Sequence, residues 1–484
     1  MESVRCTLRS CLQALAESQP DKKLLGDSAC WLTARGCWAS VSACAAALHA
    51  AGIQKGELAA LQTKRSLTTA LLVLALRAAG ALVVLCDPRH APRDALSACD
   101  TEIPVKTWIT LGADGVFQME RDGQKRMLNL FALPGASPSD LPPEGDPEED
   151  GFILFTSGSM GKSKAVVLSE YNLINNLKDS KPLGKYSEDD IALGALPMEH
   201  VFGLVLLAGA PYLRYAVYYP EKTAVPSLLK DIRQQKITRM NGVPTLYQAM
   251  AEQADPDDIV TLRAGFIGGS PVSPAQFAAL EEKLGMTLIS VYGMTECIGI
   301  SCTSWQDPQA LRAASVGKFY SMNEGHILLE NGEEARVGEI GEICVTGPAR
   351  MNGYYGRPMP REELLHTGDL GCLDADGVLR LCGRKKEIII RNGLNLAPRR
   401  IEEALLSLPG VRTAIVVGLP DERLGEAPYA MVTGRKVEPE ELLPLLNKNE
   451  IPLCICSVEE LPLTASGKLN RQMIREVLMQ WRKG

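Results

Sequence analysis

At 484 residues with 46% hydrophobic content, the chain exceeds one ordinary core, and domain-size statistics predict about two to four folding units. A net charge of −7 and a sequence pI near 5.5 provide no global basic field. That excludes nucleic acid or an anionic membrane held by bulk charge, and leaves an anionic ligand to local donors.

Met1 to Arg5 lack the long apolar core of a secretory signal. Segments 40–51 and 67–79 have helical patterns, each followed by a strand-like run at 57–62 and 81–85, and such alternation favours parallel strands with helical crossovers. The longest membrane-like run, 67–86, is broken by Arg77 and Gly80, so it reads as a buried helix and strand, and no integral membrane span is expected. A Pro- and acid-rich surface connection, 134–150, separates this region from an apolar strand at 151–155.

That strand enters Thr156-Ser157-Gly158-Ser159-Met160-Gly161-Lys162-Ser163-Lys164. Small residues let backbone N–H groups turn around an anion, hydroxyls add donors and lysines add charge, a composition suited to a polyphosphate. Gly161-Lys162-Ser163 imitates the end of a P-loop, but Thr156 stands where the first glycine belongs. The following residues 165–168 also read as a strand where a P-loop needs a helix.

Further alternation through 191–196, 225–235, 244–253, 265–267 and 287–292 implies a second parallel unit. From Gly325 short strands with hairpin signals at Asn331-Gly332 and Asp376-Gly377 indicate a small β-rich subdomain. The last hundred residues form a compact α/β unit: a helix at 398–408, strands at 413–417 and 429–432, and a final helix striped by Met473, Ile474, Val477, Leu478 and Trp481. The fourteen cysteines, Cys6/Cys11 and Cys454/Cys456 included, lack zinc-type spacing, and no pair of the five histidines is spaced for one helix face. They read as reduced thiols of a cytoplasmic protein, and a structural metal is not expected.

Taken together, the loop 156–164, Tyr292-Gly293-Met294-Thr295-Glu296, Thr367-Gly368-Asp369-Leu370, Gly383-Arg384-Lys385-Lys386-Glu387 and Leu463-Thr464-Ala465-Ser466-Gly467-Lys468 resemble the adenylate-forming superfamily. Its members include acyl- and aryl-CoA synthetases, firefly luciferase and the adenylation domains of non-ribosomal peptide synthetases. The five motifs occur in family order, with further matches at Gly268-Gly269-Ser270-Pro271 and Gly341-Glu342-Ile343. The resemblance implies an α/β fold in which residues 1–383 form a large N-terminal domain of two doubly wound subdomains plus the β-rich one. Residues 384–484 would form a small mobile C-terminal lid.

It also implies roles. Thr156, Ser157, Gly158, Ser159, Gly161 and Lys162 would hold the β- and γ-phosphates of ATP; Gly268, Gly269 and Ser270 would line the base and acyl pocket; Tyr292, with Gly293 and Met294, would sit beside adenine; Asp369 would accept the ribose hydroxyls; and Arg384 would reach ribose or phosphate. Glu296 resembles the magnesium-orienting glutamate, Thr295 would bond the α-phosphate or the acyl carboxylate, Lys468 would promote adenylation, and Lys386 occupies the hinge position. Leu196-Pro197-Met198-Glu199-His200-Val201-Phe202-Gly203 resembles the acyl-pocket motif of CoA ligases, with His200 near the carboxylate. Its apolar neighbours Val201, Phe202, Gly203, Leu204 and Val243 favour burying a hydrocarbon or aryl chain at about 25 cal/mol per Å² over holding an ammonium.

The loop departs from the common pattern at Met160, Ser163 and Ala165, and Met160 deletes one hydroxyl donor. The implied reaction is ATP- and Mg²⁺-dependent activation of a carboxylic acid, followed by transfer to the thiol of CoA. A carrier-protein thiol as acceptor, or amino-acid adenylation, remain as alternatives.

Overall fold

The computed structural model describes residues 3–90, 92–113, 115–156, 162–421, 423–462 and 470–481. Ser157, Gly158, Ser159, Gly161 and Lys468 lie outside the described residues.

Helix Leu67–Ala78 is buried along nearly its whole length. It starts where the Ser66 side chain accepts from Thr69 N–H, and it leads into the buried strand Leu82–Cys86. Arg77, the charge inside this apolar run, is compensated: its Nε is 2.8 Å from Glu170 Oε1, while Glu170 Oε2 accepts the Leu8 N–H at 2.7 Å. This buried pair ties together the helices Leu8–Ser18, Leu67–Ala78 and Glu170–Leu183. No helix among the described residues is long and apolar enough to cross a membrane.

Two mixed sheets frame the large N-terminal part. One has a parallel centre of Asp150–Thr156, Leu82–Cys86, Leu58–Gln62 and Thr107–Leu111, flanked by antiparallel strands, among them Lys164–Ser169 and Gly353–Tyr354. The other runs parallel from Thr287–Met294 through Ala264–Ile267, Arg239–Met240, Ile191–Leu193 and Ala216–Tyr218 to Lys23–Gly26. The two sheets are therefore not consecutive in sequence, because Lys23–Gly26 and Trp31–Thr33 complete a sheet otherwise made by residues beyond 190. The main apolar core, including Leu12, Leu48, Leu71, Leu154 and Leu207, is continuous across the interior of this region.

The β-rich subdomain is an antiparallel sheet of Glu324–Leu328, Gly341–Thr346, Leu365–Leu373 and Leu379–Arg384. Gly377, at φ +75, closes the hairpin between the last two strands, as its Asp-Gly signal predicts. The smaller C-terminal α/β part follows. Strands Thr413–Asp421 and Gly425–Thr433 pair antiparallel; helix Pro398–Ser407 buries Ile401 and Leu405 on one side, and helix Arg471–Trp481 buries Ile474 and Leu478 on the other. The apolar stripe of this last helix is narrower than the sequence implies, since Met473 and Trp481 are exposed. Gln276 Nε2 donates to Arg412 O at 2.7 Å, one contact between the body and the C-terminal part.

Strand Thr287–Met294 is anchored by a buried charge pair. Glu281 accepts the Leu288 N–H at 2.6 Å and pairs with Arg312, whose Nη1 also donates to Leu288 O at 2.7 Å, while Ser290 Oγ donates to Arg312 O. Removing one partner strands the other charge in the interior, so Arg312→Ala is expected to destabilise the body by about 3–5 kcal/mol. Urea unfolding followed by tryptophan fluorescence checks this. A midpoint equal to that of the parent chain contradicts it.

Candidate active site

The strands Asp150–Thr156 and Lys164–Ser169 pair antiparallel, with Phe155 opposite Ala165 and Thr156 opposite Lys164. The glycine-rich loop therefore joins two strands. The helix Glu170–Leu183 begins only after the second of them, which removes the P-loop alternative. Lys162 is exposed, and Ser163 is fixed by backbone bonds to Ala98 and Asp100. Lys164 Nζ lies 4.8 Å from the centroid of the Tyr354 ring, a cation–π contact.

Tyr354 arrives on Gly353–Tyr354, the strand added beside Lys164–Ser169, and its hydroxyl donates to Glu296 Oε1 at 3.1 Å. Burial, then the Glu296 charge, push the Tyr354 phenol upward, so the hydroxyl keeps its proton and serves as a donor. Glu296 is buried in the turn between Thr287–Met294 and Cys297–Cys302, so it is not a solvent-facing acid. Half-buried Thr295 precedes it in the same turn. Sequence reasoning overlooked Tyr354. Its signal is the Gly-Tyr pair 353–354, whose significance appears only once the strand docks on the hairpin.

A second cluster forms around Asp369. Tyr292 is buried and donates its hydroxyl to Asp369 Oδ2 at 2.8 Å, and Arg384 Nε stands 2.9 Å from Asp369 Oδ1. Asp369 and Arg384 face each other across paired strands, so register alone brings them together. Burial first, and then the neighbouring Asp369 carboxylate, raise the Tyr292 phenol strongly and hold it as a proton donor. Each carboxylate oxygen of Asp369 has a second acceptor site, which leaves room for a pair of hydroxyl donors.

Two glycines allow close approach here. A Cβ at Gly293 would stand 2.1 Å from Ile298 O, and one at Gly268 would stand 2.7 Å from Val291 O. Gly268 follows strand Ala264–Ile267 and is thus packed against the strand bearing Tyr292; Gly269 has φ +83, and Ser270 is half-buried. Met294 is half-buried at the end of the Tyr292 strand. Lys386 is exposed in the short 3-10 turn Lys385–Glu387, directly after the strand that ends at Arg384.

His200 belongs to a different element, the residue preceding helix Val201–Leu213, where its carbonyl accepts from Gly203 and Leu204. The neighbours expected to make its surroundings apolar divide. Leu204 is fully buried in the core and a Cβ on Gly203 would strike Pro197 O at 2.0 Å, so these two serve packing, whereas Val201, Phe202 and Val243 are half-buried. Glu199, part of the same motif but given no role by it, adjoins them: its Oε2 accepts from Thr63 Oγ1 at 2.7 Å, and burial holds its carboxyl above the usual range.

For Mg²⁺ the donor set fits. Glu296 offers a hard carboxylate whose Oε1 is oriented by Tyr354, the sparse protein ligation expected for an ion held mainly by substrate phosphates.

Residues 12–355 match the AMP-binding enzyme family and residues 400–468 match the AMP-binding enzyme C-terminal domain. The chain is 30% identical to a sulfoacetate–CoA ligase of Cupriavidus necator over 96% of both chains. Its fold is similar to that of ATP-bound MatB from Rhodopseudomonas palustris, with TM-score 0.84, 24% identity, and 98% of this chain and 99% of that one covered. It is also similar to o-succinylbenzoate CoA synthetase from Bacillus subtilis in complex with the acyl-adenylate intermediate, with TM-score 0.81, 25% identity and 98% of each chain covered. Two matched domains in tandem, together with a relative aligned over almost its whole length, show that the chain belongs to the AMP-binding enzyme family, as an AMP-forming ligase of the acyl-CoA synthetase type that activates a carboxylic acid as its adenylate.

Proposed function

We propose that the enzyme joins a fatty or aryl acid to CoA in two half-reactions. In the first, an acid oxygen attacks the α-phosphorus of ATP, a new P–O bond forms and pyrophosphate leaves. In the second, the CoA thiol attacks the acyl carbon, a C–S bond forms and AMP leaves. The observation that carries this reading is that one strand and the turn after it link two clusters: Tyr292 bonds Asp369, which pairs with Arg384, and Glu296, four residues on, bonds Tyr354, which packs on Lys164 at the exit of the glycine-rich loop. The relative named as a sulfoacetate–CoA ligase and the synthetase structure holding an acyl-adenylate support the same sequence of steps.

In this reading Asp369 binds the ribose hydroxyls, with Tyr292 and Arg384 orienting its carboxylate, and Tyr292, Gly268, Gly269 and Ser270 border the base. Thr156 and Lys162, with Ser157, Gly158, Ser159 and Gly161, hold the phosphates, and Thr295 meets the α-phosphate. Bound Mg²⁺ would neutralise phosphate charge beside Glu296. His200, with Val201, Phe202 and Val243, borders the acid, and the apolar half of that border supports a hydrocarbon or aryl group. Residues 384–484 act as a mobile lid that brings Lys468 to both reacting anions and pivots at Lys386. The scattered thiols support a reduced, cytoplasmic setting.

Thioester formation from ATP, an acid and CoA tests the proposal; adenylate formed with no thioester under any acid would exclude CoA as the acceptor. Lys468→Ala is expected to lower acid-dependent pyrophosphate exchange by about a hundredfold or more, the scale of losing a key charge-stabilising donor. Exchange at the parent rate removes Lys468 from the mechanism. Lys386→Pro fixes φ at the pivot and is expected to spare exchange while blocking the thioester; equal loss of both half-reactions contradicts the pivot. Tyr292→Phe deletes one hydrogen bond to Asp369 and is expected to weaken AMP binding by about 0.5–1.5 kcal/mol, read by calorimetry, and unchanged affinity argues against Asp369 as the ribose acceptor.

A further inference from the structure

The small antiparallel sheet carries a group of donors to which the proposed adenylation assigns no role. Cys344, on strand Gly341–Thr346, lies directly opposite His366 on strand Leu365–Leu373, and residues paired in this way project from one face. Glu342 precedes Cys344 by two residues and shares that face. Cys344 Sγ is 3.3 Å from His366 Nδ1, and His366 Nδ1 is 3.4 Å from Glu342 Oε2. One donor atom from each of the three lies within 4.8 Å of the others, a spread that a single ion can bridge with small side-chain rotations.

The chemistry of the three donors is selective. A thiolate sulfur, an imidazole nitrogen and a carboxylate oxygen suit a borderline-soft ion such as Zn²⁺, whereas Mg²⁺ and Ca²⁺ prefer oxygen ligands. His326, opposite Cys344 on the other neighbouring strand, is engaged by Glu334 and Glu324. Three protein donors therefore remain, and a water molecule would complete a tetrahedral shell. The charge now beside Glu342 is the Lys385 ammonium, with Nζ 3.1 Å from Oε2, while Oε1 accepts the Gly368 N–H at 3.1 Å. Cys344 is buried and His366 is exposed, so an arriving ion meets the imidazole first and the thiol at the base of the site.

The geometry points to Glu342, Cys344 and His366 as a binding site for a zinc-class divalent cation, with the Lys385 ammonium as an internal competitor for the Glu342 carboxylate. Occupation releases the thiol proton to solvent and drives Lys385 from Glu342. Lys385 lies between Arg384 and Lys386, so the bound and free forms differ at the segment that leads into the C-terminal part. Helix-face and Cys-x-x-Cys spacing rules overlook such a site, because its ligands are gathered by strand register across a sequence separation of 22.

Equilibrium dialysis of the full chain against Zn²⁺, and titration with Co²⁺ followed through thiolate-to-metal charge-transfer absorption, test the site. The parent chain is expected to show the absorption, and Cys344→Ser to lose it together with one equivalent of metal. His366→Gln is expected to weaken binding by more than about tenfold, since even partners outside the ligand shell cost that much. As an exposed substitution it keeps the test decisive if Cys344→Ser fails to fold. Lys385→Gln is expected to tighten binding by roughly two- to fivefold, the size of one exposed ion pair. Binding and absorption unchanged in both ligand variants, or weakened by Lys385→Gln, overturn the assignment.

Discussion

A carboxylate and a triphosphate repel each other, and an enzyme that joins them has to overcome that repulsion with local charge and oriented donors. In a chain whose net charge is −7 the whole-molecule field does not help. The answer is architectural. Hairpin register sets Lys164 beside Tyr354, the turn after Tyr292 buries Glu296 against the same phenol, and register in a separate sheet sets Arg384 against Asp369. Two tyrosines, Tyr292 buried and Tyr354 half-buried, are both held protonated and act as donors that fix the direction of two carboxylates. The negative groups are thus oriented, and Lys162 of the loop faces solvent.

The C-terminal part extends this arrangement. Arg384, the last residue of the body's strand, is followed at once by Lys385 on Glu342 and by exposed Lys386, so three consecutive cations occupy the junction with different engagements. Arg384 reports on Asp369, Lys385 on Glu342, and Lys386 faces solvent. An exposed residue there can turn without breaking a buried contact, which is the physical requirement for a pivot. The Gln276 to Arg412 bond, made from a side-chain amide to a backbone carbonyl, is the kind of contact that can be exchanged for water at small cost.

Much of this was legible in the residues, for reasons that differ by element. The strand, loop and strand around Thr156 were readable because β-branched and apolar residues resume immediately after Lys164. The Asp376-Gly377 hairpin was readable because φ +75 suits glycine. Buried partners far apart in sequence were not readable: nothing near Arg77 announces Glu170, and nothing near Glu296 announces Tyr354. Gly203 and Leu204 looked like pocket lining because composition cannot tell an apolar wall from an apolar core, and only packing against Pro197 and the main core separates them. Cys344 and His366 escaped notice for the same reason that Asp369 and Arg384 did not need notice: strand register joins both pairs, but only the second sits in motifs that resemble a known family.

The central claim is that this enzyme joins an apolar or aryl carboxylate to the α-phosphate of ATP. A panel of fatty, aryl and amino acids, each tested for its ability to drive exchange of labelled pyrophosphate into ATP with Mg²⁺ present, examines it most directly. Exchange with at least one fatty or aryl acid and with no amino acid is the predicted outcome. Exchange with an amino acid alone, and with none of the fatty or aryl acids, contradicts it.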